Sequence, residues 1–210
     1  MKKNFILILF LCFVFNQTNK AQTVSVKIID SFNPSTVRNV YEIIRYIPLD
    51  ESKQLAIAKL IEEEDSFFVR KLKEEVVISV PTAQVLKKLR DENLKKVLTE
   101  QELDQYYRGI SDNDAEAMAI DIREKTKAQL GTSYEEGKYI FASFYKIFLE
   151  SKVAQIKYSD KPKVLENILK EIKESELKVL LEKCGISVDE NYVATRVWKF
   201  KQNTPYRDIK

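Results

Sequence analysis

The carboxylates between Ile61 and Phe67 form the densest set of potentially reactive groups in the sequence. This stretch, IEEEDSF, places three glutamates in a row and then Asp65. Carboxylate oxygens bind Ca²⁺, and a pair of carboxylates provides the acid–base chemistry of glycosidases. Successive side chains on a helix diverge by about 100°, however, and the stretch lacks the Asp-x-Asp-x-Asp-Gly pattern of a calcium loop. We therefore interpret it as a solvated helix face.

Histidine and cysteine, which carry most nucleophilic and transition-metal chemistry, are nearly missing. The chain has no histidine, which excludes Ser-His-Asp and Cys-His machinery and histidine-ligated zinc. Its two cysteines, Cys12 and Cys184, are too few for a thiolate metal cluster. No two of its four glycines lie within five residues of each other, so there is no glycine-rich phosphate loop. We predict no catalytic, cofactor-binding or metal-binding residue and no cofactor.

Residues 1–21 have the pattern of a secretory signal peptide. Lys2 and Lys3 precede an apolar run of eleven residues, FILILFLCFVF, whereas a membrane-spanning helix needs about 20. We place the cleavage after Ala21, the small residue nearest the expected position. The mature chain is expected to be periplasmic or secreted, without stable insertion in the membrane.

Removal of this segment leaves no net charge. The whole chain has 35 basic and 32 acidic residues, and residues 1–21 contain three lysines and no acidic residue. The mature chain therefore has equal numbers of both signs, while a nucleic-acid binder needs a positive surplus on one face. The most basic stretch, LKKLRDENLKK, is interrupted by Asp91 and Glu92. We predict no nucleic-acid partner.

Cys184 is the cysteine that remains after cleavage, so no disulfide within the chain is expected. A small buried apolar side chain fits its position after the sequence VLLEK. A thiol that pairs between two chains, in a compartment where disulfides form, is the alternative. Both interpretations stay open at this stage.

The scarcity of glycine and proline and the abundance of Lys, Glu and Leu predict an all-α protein. We expect a compact bundle of six to eight helices over residues 32–202, an N-terminal extension at 22–31 and a C-terminal tail at 203–210. Prolines, glycines and capping pairs bound the helices. The predicted helices run from Pro34 to Tyr46, Asp50 to about Glu75, Pro81 through Val97, Thr99 to Gly109, Asn113 to Leu130, Tyr134 to about Tyr158, Pro162 to Gly185, and Ser187 through Val197.

Three capping boxes and two inward faces support these bounds. The boxes are Thr99 with Glu102, Asn113 with Glu116, and Ser187 with Glu190. Apolar residues at three- and four-residue spacing predict the inward faces of the second and third helices. These residues are Ile57, Leu60, Ile61, Phe67, Phe68 and Leu72, followed by Val85, Leu86, Leu89 and Val97. The segments 23–29 and 192–200 are also compatible with strands, because they are rich in β-branched and aromatic residues.

The tripeptide Gly-Ile-Ser occurs twice, at Gly109 and at Gly185. Each copy follows a long helix and a helix that begins with a Val-Leu pair, and each precedes a predicted capped helix. This order indicates an internal duplication of a three-helix unit, with repeats at 50–131 and 132–202. Two repeats are too few for an open solenoid, so we expect them to pack as one closed bundle.

The stretch VLTEQE carries a resemblance to a known family. Leu98 and Thr99 match a Leu-Thr-x-x-Gln motif, and Glu102 stands at the glutamine position. A partial second copy, PLDESKQ, has Leu49 but has Asp50 in place of the threonine. These residues resemble the small periplasmic chaperones and stress sensors of the Spy and CpxP kind. The resemblance implies an exported, all-helical, cofactor-free protein that cradles unfolded clients as a dimer.

The helix that begins at Tyr134 is unusually rich in aromatic residues. A stripe of Phe141, Phe144 and Phe148 at three- and four-residue spacing suits packing in a core. Tyr139 and Tyr145 cannot both lie on the face of that stripe. The helix is therefore either central and surrounded, or partly exposed on a groove for a partner. The candidate partner-binding residues are Tyr139, Phe141, Phe144, Tyr145 and Phe148.

Three functions remain compatible with the sequence. The leading hypothesis is an exported, non-catalytic protein that holds a polypeptide partner or client on an apolar groove. The alternatives are a carboxylate-dependent hydrolase of an envelope polymer, and an envelope scaffold that self-associates. Two inward carboxylates about 5–10 Å apart would favour the hydrolase, and a shallow apolar groove would favour binding.

Overall fold

The computed structural model describes residues 23–75 and 77–197, which form seven helices and one short β-hairpin. The predicted all-α, multi-helix class is confirmed. The predicted signal peptide and the tail at 203–210 lie outside the described residues. The elements are α1 (Val26–Ser31), α2 (Pro34–Ile44), α3 (Glu51–Glu74), α4 (Val80–Val97), α5 (Glu100–Leu130), α6 (Tyr134–Lys157), α7 (Pro162–Cys184), β1 (Ile186–Val188) and β2 (Ala194–Arg196).

Local capping interactions set most of the helix ends. The Asp50 carboxylate accepts from the N–H of Lys53 at 2.8 Å, and the predicted capping box of Thr99 and Glu102 is present. Gly131 and Gly185 adopt the left-handed conformation, with φ of 61° and 64°, that ends a helix with little strain. These four signals are readable in the sequence, and the predicted ends there are confirmed to within a few residues.

The predicted helix end at Gly109 and the predicted start at Asn113 are wrong. Helix α5 is continuous over 31 residues, and Asn113 lies exposed within it. A glycine inside a helix costs only about 1 kcal/mol. Ser111, Ala115 and Ala119 are buried at four-residue spacing, so packing of this face outweighs the local breaking signals.

The predicted last helix, capped by Ser187 and Glu190, is also wrong. Strands β1 and β2 pair antiparallel there, with Ser187 opposite Thr195. The Asp189 carboxylate accepts from the N–H groups of Asn191 and Val193, both at 2.8 Å, and it thereby builds the turn of a hairpin. In the other ambiguous segment, residues 23–25 precede helix α1 and residues 26–29 lie within it, so the strand alternative is wrong there.

The two Gly-Ile-Ser copies have different structures. The first lies inside α5, and the second leads from α7 into β1. An antiparallel pair of helices does occur in both halves, as α3–α4 and as α6–α7. The third element does not repeat, so the predicted three-helix duplication is wrong at that element.

The described residues divide into two compact units, with the boundary between Tyr106 and Tyr107, inside α5. In the first unit, α2 packs against α3, and α3 packs against α4. The buried Gln54 amide joins two segments, because it accepts from the N–H of Ser25 at 2.9 Å and donates to the Leu49 carbonyl at 3.0 Å. The main core residues of this unit are Ile28, Val40, Ile43, Ile47, Leu49, Ile57, Ile61, Leu94, Leu98 and Leu103.

The core of the second unit lies between α5, α6, α7 and the hairpin. Helices α5 and α6 run antiparallel, and the Arg108 guanidinium pairs with both carboxylate oxygens of Glu150 at 2.7 and 2.9 Å. Cys184 is fully buried, and burial raises the pKa of its thiol to about 11. The core residues are Ala115, Ala119, Ile140, Phe144, Ile147, Phe148, Leu149, Leu180, Cys184, Ile186 and Ala194.

Candidate functional site

Two of the five predicted partner-binding residues belong to the core of the second unit. Phe144 is 1% exposed and Phe148 is 6% exposed. Their ring centroids lie 5.9 Å apart, and each lies 5.7 Å from the ring of Tyr192 in the hairpin turn. Within this chain, these two phenylalanines stabilise the fold and offer no surface to a partner.

The other three predicted residues lie on other sides of α6. Phe141 and Tyr145 are half-buried and stack at 5.9 Å, and the Tyr145 hydroxyl donates to the Asp112 carboxylate of α5. That hydrogen bond, together with burial, raises the pKa of Tyr145. Tyr139 is exposed. The five aromatic residues therefore do not form one surface.

Each buried glutamate is bonded to a cation. Glu64 accepts from Arg90 and from the Asn93 amide, while Glu176 accepts from Lys146. Glu136 accepts from Arg196 at 2.7 Å. Burial opposes ionisation of Glu136, but the hydrogen bonds from Arg196 and Ser133 outweigh it and lower the pKa of this carboxyl. These carboxylates connect structural elements, as expected for buried charges.

The acidic stretch of α3 does not converge on one point. Glu62 and Glu63 line a groove on one side of the α3–α4 pair, and Asp65 lines a groove on the other side. Glu64 lines the same groove as Asp65 and is held there in its ion pair with Arg90. Among residues 23–75 and 77–197, no group of three His, Cys, Asp or Glu side chains could hold a metal ion.

The outer half of the α3–α4 pair, residues 65–75 and 77–92, is the most exposed apolar part of the first unit. We refer to it as the arm. Thr82 is the one buried residue among those described in the arm. Val77 at the bend is 79% exposed and Val80 is 72% exposed. The exposed apolar side chains of the arm are Phe68, Val69, Leu72, Val77, Val80 and Val85.

Polar contacts hold the bend of the arm without a core. The Glu75 carboxylate accepts from the Thr82 hydroxyl at 2.6 Å and from the N–H of Ser79 at 2.9 Å. The bond from Thr82 is the main cause of a lowered pKa at Glu75. Ser79 in turn caps α4 by accepting from the N–H of Thr82. Nearer the base, the bonds from Arg90 and Asn93 to Glu64 join the two helices. Local bonds thus keep the arm folded while its apolar side chains face solvent.

Two grooves run along the α3–α4 pair, and each extends from the arm towards the base of the pair. The larger has a volume of about 670 Å³ and the smaller of about 310 Å³. Phe67 and Leu89 line the larger, and Phe68 and Leu86 line the smaller. Charges of both signs surround these apolar residues, among them Lys59, Glu62, Glu63, Arg70 and Lys96 in the larger groove and Asp65, Lys87 and Arg90 in the smaller.

The sequence prediction of an inward face along α3 and α4 is correct only at the base of the pair. Ile57 and Ile61 are buried as predicted, whereas Phe68, Leu72 and Val85 are exposed. The overlooked signal was the connecting sequence EEVVISVP. Turns are normally built from polar residues, glycine and proline. A run of β-branched apolar residues at a bend therefore indicates an interaction surface.

Comparison of the chain with protein-family models, with curated proteins and with solved structures finds no match. In the part of the chain that the structure describes, no helix has both the length and the apolar composition needed to span a membrane.

Proposed function

We propose that this protein is an exported, non-catalytic binding protein that holds a polypeptide partner on the arm. The observation that carries the proposal is the set of exposed apolar side chains around Val77 and Val80. Contiguous apolar surface on a soluble protein marks interaction sites more often than singly exposed apolar residues do. The export component rests on the signal-peptide pattern of residues 1–21.

The charges of the larger groove, which extends from the arm towards the base of the α3–α4 pair, favour a polypeptide over a polyanion. In the larger groove, the two glutamates Glu62 and Glu63 lie beside Lys59, Arg70 and Lys96. A nucleic acid would meet carboxylates there and would need a surface of one sign. A polypeptide supplies apolar side chains for the valines and charges of both signs for the groove walls.

The expected affinity is moderate. Covering an exposed valine or phenylalanine contributes on the order of 1–2 kcal/mol, and several such contacts are needed to exceed the cost of association. Six such contacts supply on the order of 6–12 kcal/mol before that cost, so we expect a complex no tighter than micromolar, which corresponds to about 8 kcal/mol. Such an affinity suits a protein that binds and releases many segments of unfolded clients.

The test compares two double variants of the mature protein. Val77→Ser with Val80→Ser removes the most exposed apolar residues of the arm. Val26→Ser with Val164→Ser is the matched control, because these valines are exposed on α1 and α7. We expect the arm variant to lose at least about fivefold of its ability to suppress aggregation of a chemically unfolded client, since two contacts of about 1 kcal/mol each are removed.

Both variants should keep the melting temperature of the wild type, because none of the four valines is buried. Equal loss of suppression in the two variants would contradict a site on the arm. Sedimentation over a range of concentrations separates the self-association alternative. If the arm variant only abolishes a concentration-dependent oligomer and the wild type protects no client, the protein is a scaffold.

A further inference from the structure

The face of α3 that is buried at the base of the α3–α4 pair continues into the arm. Ile57 and Ile61 are buried on this face, and α1 and α2 pack against α3 in the same unit. The same three- and four-residue spacing continues outward through Asp65, Phe68 and Leu72. Phe68 and Leu72 are 38% and 41% exposed. One face of α3 is therefore covered over its first half and open to solvent over its second half.

The helices α1 and α2 are much shorter than α3. They have six and 11 residues, whereas α3 has 24. At 1.5 Å per residue, the face beyond Ile61 extends for about 20 Å to the end of α3 at Glu74. No element among the described residues covers this length. It corresponds to a helix of about 13 residues, which has between three and four turns.

The smaller groove of the α3–α4 pair lies along this open part of the face. Phe68 of α3 and the half-buried Leu86 of α4 supply its apolar lining. The two helices are antiparallel, and side chains of one helix pack into the grooves between side chains of another. The space between α3 and α4 therefore has the shape that accepts a third helix.

A helical segment fits this surface better than an extended one. The residues that line the groove belong to α3 and α4, whose backbone groups are bonded within their own helices. An extended segment would find no strand edge in these helices, and its own N–H and C=O groups would face Phe68 and Leu86 without partners. A helix satisfies its backbone groups internally and presents apolar side chains at three- and four-residue spacing.

Charges beside the groove specify the flanks of such a helix. Asp65 lines the groove from α3 and Lys87 lines it from α4, and neither makes an ion pair with another described residue. Glu64 and Arg90, in the same lining, pair with each other. The groove thus presents one carboxylate and one ammonium group on opposite helices. A helix with a basic residue on one flank of its apolar stripe and an acidic residue on the other complements both charges.

We propose that the arm binds segments of its polypeptide partner as amphipathic helices, and that these helices lie in the smaller groove. This inference rests on the proposed function and names the structural class of the partner. The apolar stripe of the bound helix covers Phe68, Leu72 and Leu86, and its charged flanks face Asp65 and Lys87. Because the two flanks exchange places when a helix reverses its direction, the two charges select the direction of the bound segment.

The experiment measures the binding of labelled peptides of about 13 residues to the mature protein by fluorescence anisotropy. The amphipathic peptide has leucines at three- and four-residue spacing, with lysines on one flank and glutamates on the other. The control peptide has the same composition, but its apolar and polar residues alternate as in a strand. We expect the amphipathic peptide to bind at least about tenfold tighter, because it fills the groove without unpaired backbone groups.

Binding should also make the amphipathic peptide helical. A free peptide of this length is marginally helical in water, so the gain is visible in the circular dichroism of the mixture after that of the protein is subtracted. Equal affinity of the two peptides, or binding without a gain of helix, would overturn the inference.

Two adjacent phenylalanines provide a matched pair of variants, because Phe68 lines the smaller groove and Phe67 lines the larger. Phe68→Ala should weaken binding of the amphipathic peptide about fivefold, since the helix loses an apolar contact. Phe67→Ala should stay within about twofold of the wild type. Equal weakening by the two substitutions, or a larger loss in Phe67→Ala, would overturn the assignment to the smaller groove.

A charge reversal tests the flanks without removing an apolar side chain. Asp65→Lys leaves Lys87 in place and makes both sides of the groove basic. The variant should prefer a peptide with glutamates on both flanks over the mixed peptide by about threefold at low salt, as is typical of exposed ion pairs. The wild type should prefer the mixed peptide. The same preference in both proteins would overturn the role of Asp65.

Failure of this inference can be distinguished from failure of the proposed function. If Val77→Ser with Val80→Ser loses suppression of client aggregation while the two peptides bind equally, the arm holds extended segments, so the proposed function stands and the helix inference falls. If the wild type protects no client and binds neither peptide, both fall. If Phe68→Ala abolishes a concentration-dependent dimer in sedimentation and no peptide binds, the occupant is a second copy of the chain and the inference is overturned.

Discussion

The α3–α4 pair and the α6–α7 pair are built alike and buried differently. Each is antiparallel, each begins with a helix of 24 residues, and each has a proline in the first turn of its second helix. The apolar residues in the outer half of α3–α4 are exposed to solvent, whereas α5 and the hairpin cover α6–α7. A periodic apolar face thus identifies side chains that can be buried. Whether they are buried depends on the neighbouring elements of the fold.

The contrast also separates two roles for aromatic residues. Phe144 in α6 belongs to one apolar cluster with side chains of α5, α7, β1 and β2, so its ring contributes to the stability of the second unit. Phe68 in α3 lies beside a groove and is partly exposed. Truncation of each ring should therefore affect a different measurement.

The largest expected effect is on the stability of the second unit. Phe144→Ala should lower the free energy of unfolding by about 3–5 kcal/mol, because it leaves a cavity in a packed core. Phe68→Ala should cost less than about 1 kcal/mol, because its site can relax into solvent. Urea denaturation followed by circular dichroism measures both. Equal costs would show that the arm is covered by apolar side chains and would remove the basis of the comparison.

An intermediate effect is expected at the carboxylates that join elements in the two pairs. Glu136→Gln should cost about 1–3 kcal/mol at neutral pH, since Arg196 and the first turn of α6 lose a charged acceptor. Glu75→Gln, at the exposed bend of the arm, should change stability less. The measurement is chemical denaturation of each variant at pH 7.

The stability lost in Glu136→Gln should depend on pH. The pKa of Glu136 in the folded chain lies below its ordinary value of 4.5, so its contribution is fully present above that value and is lost as the pH falls through the folded pKa. The stability difference between wild type and Glu136→Gln should therefore shrink below about pH 4.5. A constant difference across this range would mean that the charge of Glu136 does not stabilise the fold.

The smallest effect concerns the turn that covers α6. Tyr192 has a φ of 61°, a conformation that costs a bulky residue about 1–2 kcal/mol, but its ring packs on Phe144 and Phe148. Tyr192→Gly removes both the strain and the ring contacts, and we expect a net loss of about 1 kcal/mol in thermal denaturation. Tyr192→Phe keeps ring and backbone and should match the wild type. A glycine variant more stable than the wild type would show that the ring contributes little cover.

Most helix ends could be predicted because their causes are local. Asp50, Thr99, Gly131 and Gly185 act on backbone groups within four residues of themselves, and the structure has helix ends at all four. The predictions failed where a distant partner outweighs a local signal. The alanine face of α5 carries the helix past Gly109, and pairing with β2 draws Ser187 into a strand.

The candidate site was harder to predict than the fold. The density of aromatic residues identifies α6 as an apolar helix, but it does not distinguish a core from a groove. The spacing of Phe144 and Phe148 is the same in either case. The arm is exposed because no element among residues 23–75 and 77–197 covers the outer half of α3 and α4. That property belongs to the whole first unit and is not encoded at Phe68 or Leu72 alone.

Because Cys184 is buried, the rate of modification of its thiol reports local opening of the second unit. Alkylating reagents attack the thiolate, and at about pH 8 a free thiol is substantially ionised, whereas this one, with a pKa of about 11, is both shielded and protonated. Modification must then wait for the surrounding packing to open. Cys184 is the only cysteine in residues 23–75 and 77–197, and Cys12 falls within the predicted signal peptide. The rate at which the mature chain is alkylated therefore measures how often the second unit opens, and it does not change when the arm frays.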